Sequence, residues 1–186
     1  MLEKDCNFKA PDASGSFPIH LAASSTENSH NDLNEIKRKE EDERRCECVR
    51  LLLEAGAPLT MKDGSKQSVL HSAARAGHCM LLRYLMQCWS GLDDKKKVKS
   101  KHKAGPYDWN DRWFRTPVHW AVLNGNFQAL EILLNGGCSA NPYTPKSNRQ
   151  TSVAMESPLE ICDRVYGSTD KGIAMRDLLL AAKSSS

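Results

Sequence analysis

The chain has 186 residues, 40% hydrophobic and 26% charged, with a formal net charge of +3. That balance suits one domain with a good core and excludes wholesale disorder, and so small a charge does not by itself imply a polyanionic partner. The longest purely aliphatic run, 178–182, is far too short to cross a bilayer, so no membrane insertion is expected. Seven scattered cysteines (Cys6, Cys46, Cys48, Cys79, Cys88, Cys138 and Cys162) are an odd number, several of them at apolar helical positions. They exclude a disulfide scaffold and read as reduced, mostly packed thiols of a cytoplasmic and/or nuclear protein.

Leu2 precedes Asp12 by the same ten positions that separate Leu53 from Asp63. Residues 1–11 therefore read as the end of a unit whose beginning is missing, and the chain is expected to be a fragment or short isoform of a longer array. Unit one, 12–62, carries Gly15, Pro18, Ile19, His20, Leu21, Ala22 and Ala23, with Phe17 where a hydroxyl-bearing helix cap is favoured. Its insertion, 24–45, contains Asp32-Leu33-Asn34-Glu35, which has capping-box spacing, and two well-oriented pairs, Glu40 with Arg44 and Glu41 with Arg45. The pattern predicts one long helix over 33–54 that projects past its neighbours.

Unit two, 63–110, opens at Asp63 with Ser68 as cap, then Val69, Leu70, His71, Ala73, Ala74 and Gly77, with Leu81, Leu82 and Leu85 behind. An insertion over 87–110 follows, whose basic run is Lys95, Lys96, Lys97, Lys99, Lys101 and Lys103. Lys96-Lys97-Val98-Lys99 resembles a short nuclear import signal; a polyanion-contacting loop and a merely solvated one are the other readings. Tyr107, Trp109, Arg112, Trp113, Phe114 and Arg115 come next. Trp, Tyr and Arg at a loop tip are the types that dominate binding hot spots, unless Trp113 and Phe114 fold back to cover the loop.

Unit three, 111–156, repeats the offset, with Asp111 five positions before Thr116. Thr116 can cap a helix and Pro117 can occupy its first position, where a missing N–H costs nothing. Gly125 turns the chain, and Phe127, Leu130, Leu133 and Leu134 recur at helical spacing until Gly136 and Gly137. The Pro-, Ser- and Thr-rich stretch 141–156 reads as a loop. The last unit, 157–183, keeps Ser157, Pro158 and Leu159 but has Glu160 in the histidine's place, before a tail at 184–186.

Thr116-Pro117-Val118-His119-Trp120-Ala121, followed by a glycine turn and a second apolar helix, resembles an ankyrin repeat. The resemblance implies an all-α solenoid: stacked helix-turn-helix repeats over 1–183 as a single array, with β-hairpin or loop fingers and extended insertions. Successive histidine positions lie 51, 48 and 41 residues apart, counting Glu160, against a family period of about 33, so the excess is expected as surface loops. The decayed last unit suits a terminal repeat with a wet outer face.

What the resemblance implies about function is a non-catalytic scaffold or adaptor whose partner is another protein, met by finger tips and first helices. Those positions are Lys62, Lys66, Trp109, Arg112, Trp113 and Arg115, with Arg75, Asn124 and Asn126 on the turns beyond the first helices. Two further readings stand beside it: the substrate-recruiting portion of a larger enzyme or channel, and a nuclear regulator contacting nucleic acid through the lysine loop.

Nothing in the chain calls for chemistry. His20, His71 and His119 recur once per unit, as a structural residue does and a catalytic one does not. Cys46 and Cys48, one residue apart on a helix, point about 200° from each other, which is poor for one metal. His78 and Cys79 have no second pair at zinc spacing, and 62–66 holds one glycine rather than a phosphate loop. No catalytic residue, metal or cofactor is expected.

Overall fold

A computed structural model describes residues 7–24, 35–93, 106–142 and 156–184. The six-lysine loop, the capping box at Asp32, most of the loop 141–156 and the first half of the stretch 1–11 lie outside the described residues.

Among the described residues the regular structure is eight α-helices and one 3-10 turn, with no strand. The first helices of the four units are α1 (Pro18–Ala23), α3 (Val69–Ala76), α5 (Pro117–Leu123) and α7 (Pro158–Tyr166). The second helices are α2 (Glu35–Glu54), α4 (Cys79–Asp93), α6 (Phe127–Asn135) and α8 (Asp170–Ser184), and Pro106–Asp108 forms the 3-10 turn. Each first helix packs on its own second helix; first helices contact first helices along one row, and second helices contact second helices along the other. Each short helix has one apolar stripe, so only this stacking buries it. Leu70, Leu81, Leu82, Leu85, Val118, Val122, Leu130, Leu133, Ile161 and Met175 form the continuous interior. The chain is an all-α repeat solenoid.

Helix starts follow local chemistry. In α3, His71 Nδ1 accepts the backbone N–H of Ser68 at 3.0 Å, and in α5 His119 does the same for Thr116 at 3.0 Å. Because Nδ1 accepts, the neutral ring carries its proton on Nε2. His71 Nε2 donates that proton to the Arg115 carbonyl of the next unit at 3.1 Å, and His20 Nε2 lies 3.2 Å from the Met61 carbonyl. One imidazole thus caps its own helix and ties down the following finger. Phe17 occupies the cap position of α1, makes no side-chain cap bond, and instead sets its ring 5.9 Å from that of His20.

The fingers between units are tight turns rather than extended strands, with one isolated antiparallel bridge from Lys62 to Ser68. In each, an aspartate N–H donates at 2.9 Å to the carbonyl four residues on: Asp12 to Ser16, Asp63 to Gln67, Asp111 to Arg115. The same aspartate's Oδ1 accepts the N–H groups two and four residues on, within 2.7–2.9 Å. Adjacent fingers are joined by Gly64 N–H to Gly15 O at 3.0 Å and Arg112 N–H to Ser65 O at 2.9 Å.

Two stretches differ from the sequence expectation. The long helix of unit one does not simply project: Glu35–Glu40 are exposed, but Asp42 is buried and accepts the N–H groups of Met80 at 2.7 Å and Leu81 at 3.2 Å. A carboxylate at the positive end of α4 satisfies two donors that lack intrahelical partners, which holds α2 against the stack. Of its two expected ion pairs, Glu41 with Arg45 forms at 2.6 Å, while Glu40 with Arg44 is absent from the ion pairs of the described residues. The insertion expected to open at Gln87 is helical to Asp93, because Trp89 is an interior residue, only 2% exposed.

Candidate protein-interaction surface

The finger at 111–115 is held on both sides before any partner arrives. Asp111, 3% exposed, accepts the Trp120 Nε1–H at 2.9 Å and the Gln67 amide at 3.3 Å through Oδ2, besides its two turn bonds through Oδ1. These bonds fix the height and direction of α5's half-buried Trp120 relative to the finger that precedes it.

Around that indole the structure gathers residues from three elements. The Arg75 guanidinium, at the end of α3, lies 5.6 Å from the Trp120 ring centroid, and the Arg115 guanidinium, at the finger's base, lies 5.4 Å from it. Trp113 stands edge-on to Trp120 at 6.4 Å, and Arg112 lies 5.3 Å over Trp113. Trp113 is 46% exposed, the only tryptophan among the exposed large hydrophobic side chains described. The Arg75 backbone is pinned in turn, since Asn126 Nδ2 donates to the carbonyls of Ala74 at 2.9 Å and Arg75 at 3.0 Å.

The other sequence-derived positions fall elsewhere. Trp109 is half-buried, edge-on to Trp89 at 5.1 Å, with the Lys62 ammonium 4.3 Å over its ring, so its main contact is with the interior. Burial, and then the neighbouring Lys66, lower the Lys62 pKa from its ordinary value. Lys66 is exposed at the tip of its finger. Asn124 is exposed, but its amide turns back to the Trp120 carbonyl at 2.9 Å. Lys95, Lys96, Lys97, Lys99, Lys101 and Lys103 lie outside the described residues. Arg75, Arg112, Trp113 and Arg115 are therefore brought together, and Lys62 with Trp109 forms a second, separate pair.

The Thr116–Ala121 motif gave no separate role to Trp120, which the structure puts at the centre of this face. The available signal was its position: it follows the inward-facing His119 by one residue, about 100° further round the helix, on the side that the preceding finger covers.

The buried imidazoles behave as scaffold. Desolvation pushes the His71 and His119 pKa values down to about 4, and lowers that of His20 as well. Burial likewise raises the thiols of Cys46, Cys79, Cys138 and Cys162, which keeps them protonated and poorly nucleophilic. Among the described residues no three His, Cys, Asp or Glu side chains gather in a metal-binding group, and no helix is long and apolar enough to cross a membrane.

A family model described as ankyrin repeats, in three copies, matches residues 40–144. The chain is also similar to the Nuclear factor NF-kappa-B p105 subunit of Rattus norvegicus, at 28% identity over 132 residues that cover 71% of this chain and 10% of that protein. It spans about a tenth of the length of that curated relative. Ankyrin repeats are protein-protein interaction modules, and with more than half of its length inside that match and the histidine-linked stack already described, this chain belongs to the ankyrin repeat family.

Proposed function

We propose that the chain is a non-catalytic adaptor, of the cytoplasm or nucleus, that binds another protein across the fingers and first-helix ends of its second and third repeats. The observation that carries the reading is the Arg112-Trp113-Trp120 group, an exposed indole and two neighbouring guanidiniums on a finger fixed by hydrogen bonds to the finger before it. A face ordered before contact loses little freedom on binding, and Trp and Arg are the residues that most often carry interface affinity. Its non-catalytic character is supported by the structural use of the recurrent histidines: His71 and His119 cap their helices, and His71 and His20 reach the backbone of the finger that follows.

The test compares proteins captured by the wild-type chain with those captured by Arg112→Ala plus Trp113→Ala, both exposed and outside the interior. Loss of a set of partners, with melting unchanged, is the expected result. An identical partner set at identical affinity would remove this face from the binding surface.

A further inference from the structure

Resting on that reading of the face, we propose that its partner presents an acidic segment, whose carboxylates pair with Arg75, Arg112 and Arg115 while an apolar side chain rests on Trp113. The argument starts from counter-charge. Four arginines elsewhere find carboxylates: Arg45 with Glu41, Arg50 with Glu47 and Glu54, Arg164 with Glu156, and Arg176 with Asp163. Arg38, Arg44 and Arg83 form no ion pair among the described residues, but they are not gathered on one face around tryptophans. No ion pair among the described residues engages Arg75, Arg112 or Arg115. Each is instead held over an indole, at 5.3–5.6 Å from a ring centroid.

The nearby carboxylates are already engaged. Asp111 is buried and accepts two N–H groups through Oδ1 and the Trp120 and Gln67 side chains through Oδ2. Glu156 holds the Arg164 guanidinium, with one contact at 2.8 Å. Three cations on one face thus form no direct ion pair among the described residues, although, behind the Arg164 hydrogen bond, the Arg115 charge also helps to lower the Glu156 pKa. Each guanidinium keeps five N–H donors for a partner's carboxylate.

Backbone fixation makes the arrangement a site rather than three loose side chains. Asn126 holds the Arg75 carbonyl, Ser65 accepts the Arg112 N–H, and the Arg115 unit donates to Asp111 and accepts from His71. Alternate side chains of an extended segment stand roughly 7 Å apart on one face, a spacing that two guanidiniums around a single indole can meet. Successive stacked bases would need several open ring faces, and here Trp120 already carries two guanidiniums and the Trp113 edge, which leaves the exposed part of Trp113 with room for a single apolar side chain. The chemistry favours a peptide carboxylate.

The experiment selects a random dodecapeptide display library on the full chain, then measures the best labelled peptide by fluorescence polarisation against variants. The expected result is enrichment of Asp and Glu, affinity that falls with added salt, and a loss of about tenfold or more for Arg75→Gln plus Arg112→Gln. Both residues are exposed, so these variants keep their fold, and a thermal melt verifies it. Peptides that need Trp113 but show no excess of carboxylates would overturn the acidic partner and leave the binding face standing. Peptides indifferent to Trp113→Ala and to the arginine variants would overturn both. A random single-stranded RNA that outcompetes the best peptide for the same arginines would replace the acidic partner with nucleic acid.

Discussion

The second and third repeats place an imidazole at the third position of their first helices, and the last repeat places a carboxylate there. Locally the two groups do one job. Ser157 N–H donates to Glu160 Oε2 at 2.6 Å, as Ser68 N–H donates to His71 Nδ1 at 3.0 Å. Beyond the helix they differ, because His71 passes an Nε2–H to the Arg115 carbonyl of the next repeat and a carboxylate has no proton to pass. Capping therefore requires only an acceptor, whereas doing both, as His71 does, requires an acceptor and a donor in one rigid ring. Glu160 thus caps its own helix without the inter-repeat bond that His71 makes.

Exchanging the two residues tests this most severely. His71→Glu would bury a charge and leave the Arg115 carbonyl without its donor, and should cost about 3–5 kcal/mol. Glu160→His, at an exposed position, should move stability by about 0.5 kcal/mol or less. Urea unfolding of both variants measures the contrast, and equal costs would mean that the inter-repeat bond contributes nothing. For scale, Leu70→Ala or Leu133→Ala, at fully buried positions between the same rows, should cost about 2–5 kcal/mol.

Acid should separate the repeats next. The folded pKa values of His71 and His119, about 4, lie below the ordinary 6.5, so the unfolded chain takes up protons first as pH falls. Their contribution is complete above pH 6.5 and is lost as pH drops from 6.5 towards 4, at up to about 1.4 kcal/mol per pH unit for each ring. Glu160 acts in the opposite range: its hydrogen bonds from Ser157 hold its pKa below the usual 4.5, so its cap persists when the His71 link and the His119 cap begin to fail. A urea midpoint unchanged between pH 7 and 5 would show that both rings accept a proton without leaving their places.

The caps were legible in the sequence because they are local. Ser68, Thr116 with Pro117, and Ser157 with Pro158 each announce a helix within four residues, and the helices begin there. The proposed binding face was legible only in part. Arg112, Trp113 and Arg115 belong to one finger, but Arg75 reaches Trp120 across 45 positions of chain, and no local pattern says which way a guanidinium turns. Trp109 illustrates the reverse: it sits in the same aromatic run as Trp113, yet Trp89, twenty positions earlier on an apolar helical face, draws it towards the interior.

The smallest effect concerns the fingers. Gly15, Lys66 and Phe114 occupy the same place, three residues after the turn aspartate, with φ of 79°, 61° and 60°. Glycine adopts that left-handed conformation freely, and an L side chain there costs about 1–2 kcal/mol. Lys66 is exposed, so Lys66→Gly gives up no packing; part of the gain is offset by the greater freedom of glycine in the unfolded chain, and a net rise of about 0.5–1 kcal/mol is expected. Phe114→Gly should gain less, since it also gives up a half-buried ring. Urea midpoints decide it, and a fall for Lys66→Gly would mean that the lysine side chain contributes more to the finger than its conformation costs. A rise would show that the finger carries a lysine at the expense of stability, as the fingers of a binding module do and those of a simple spacer need not.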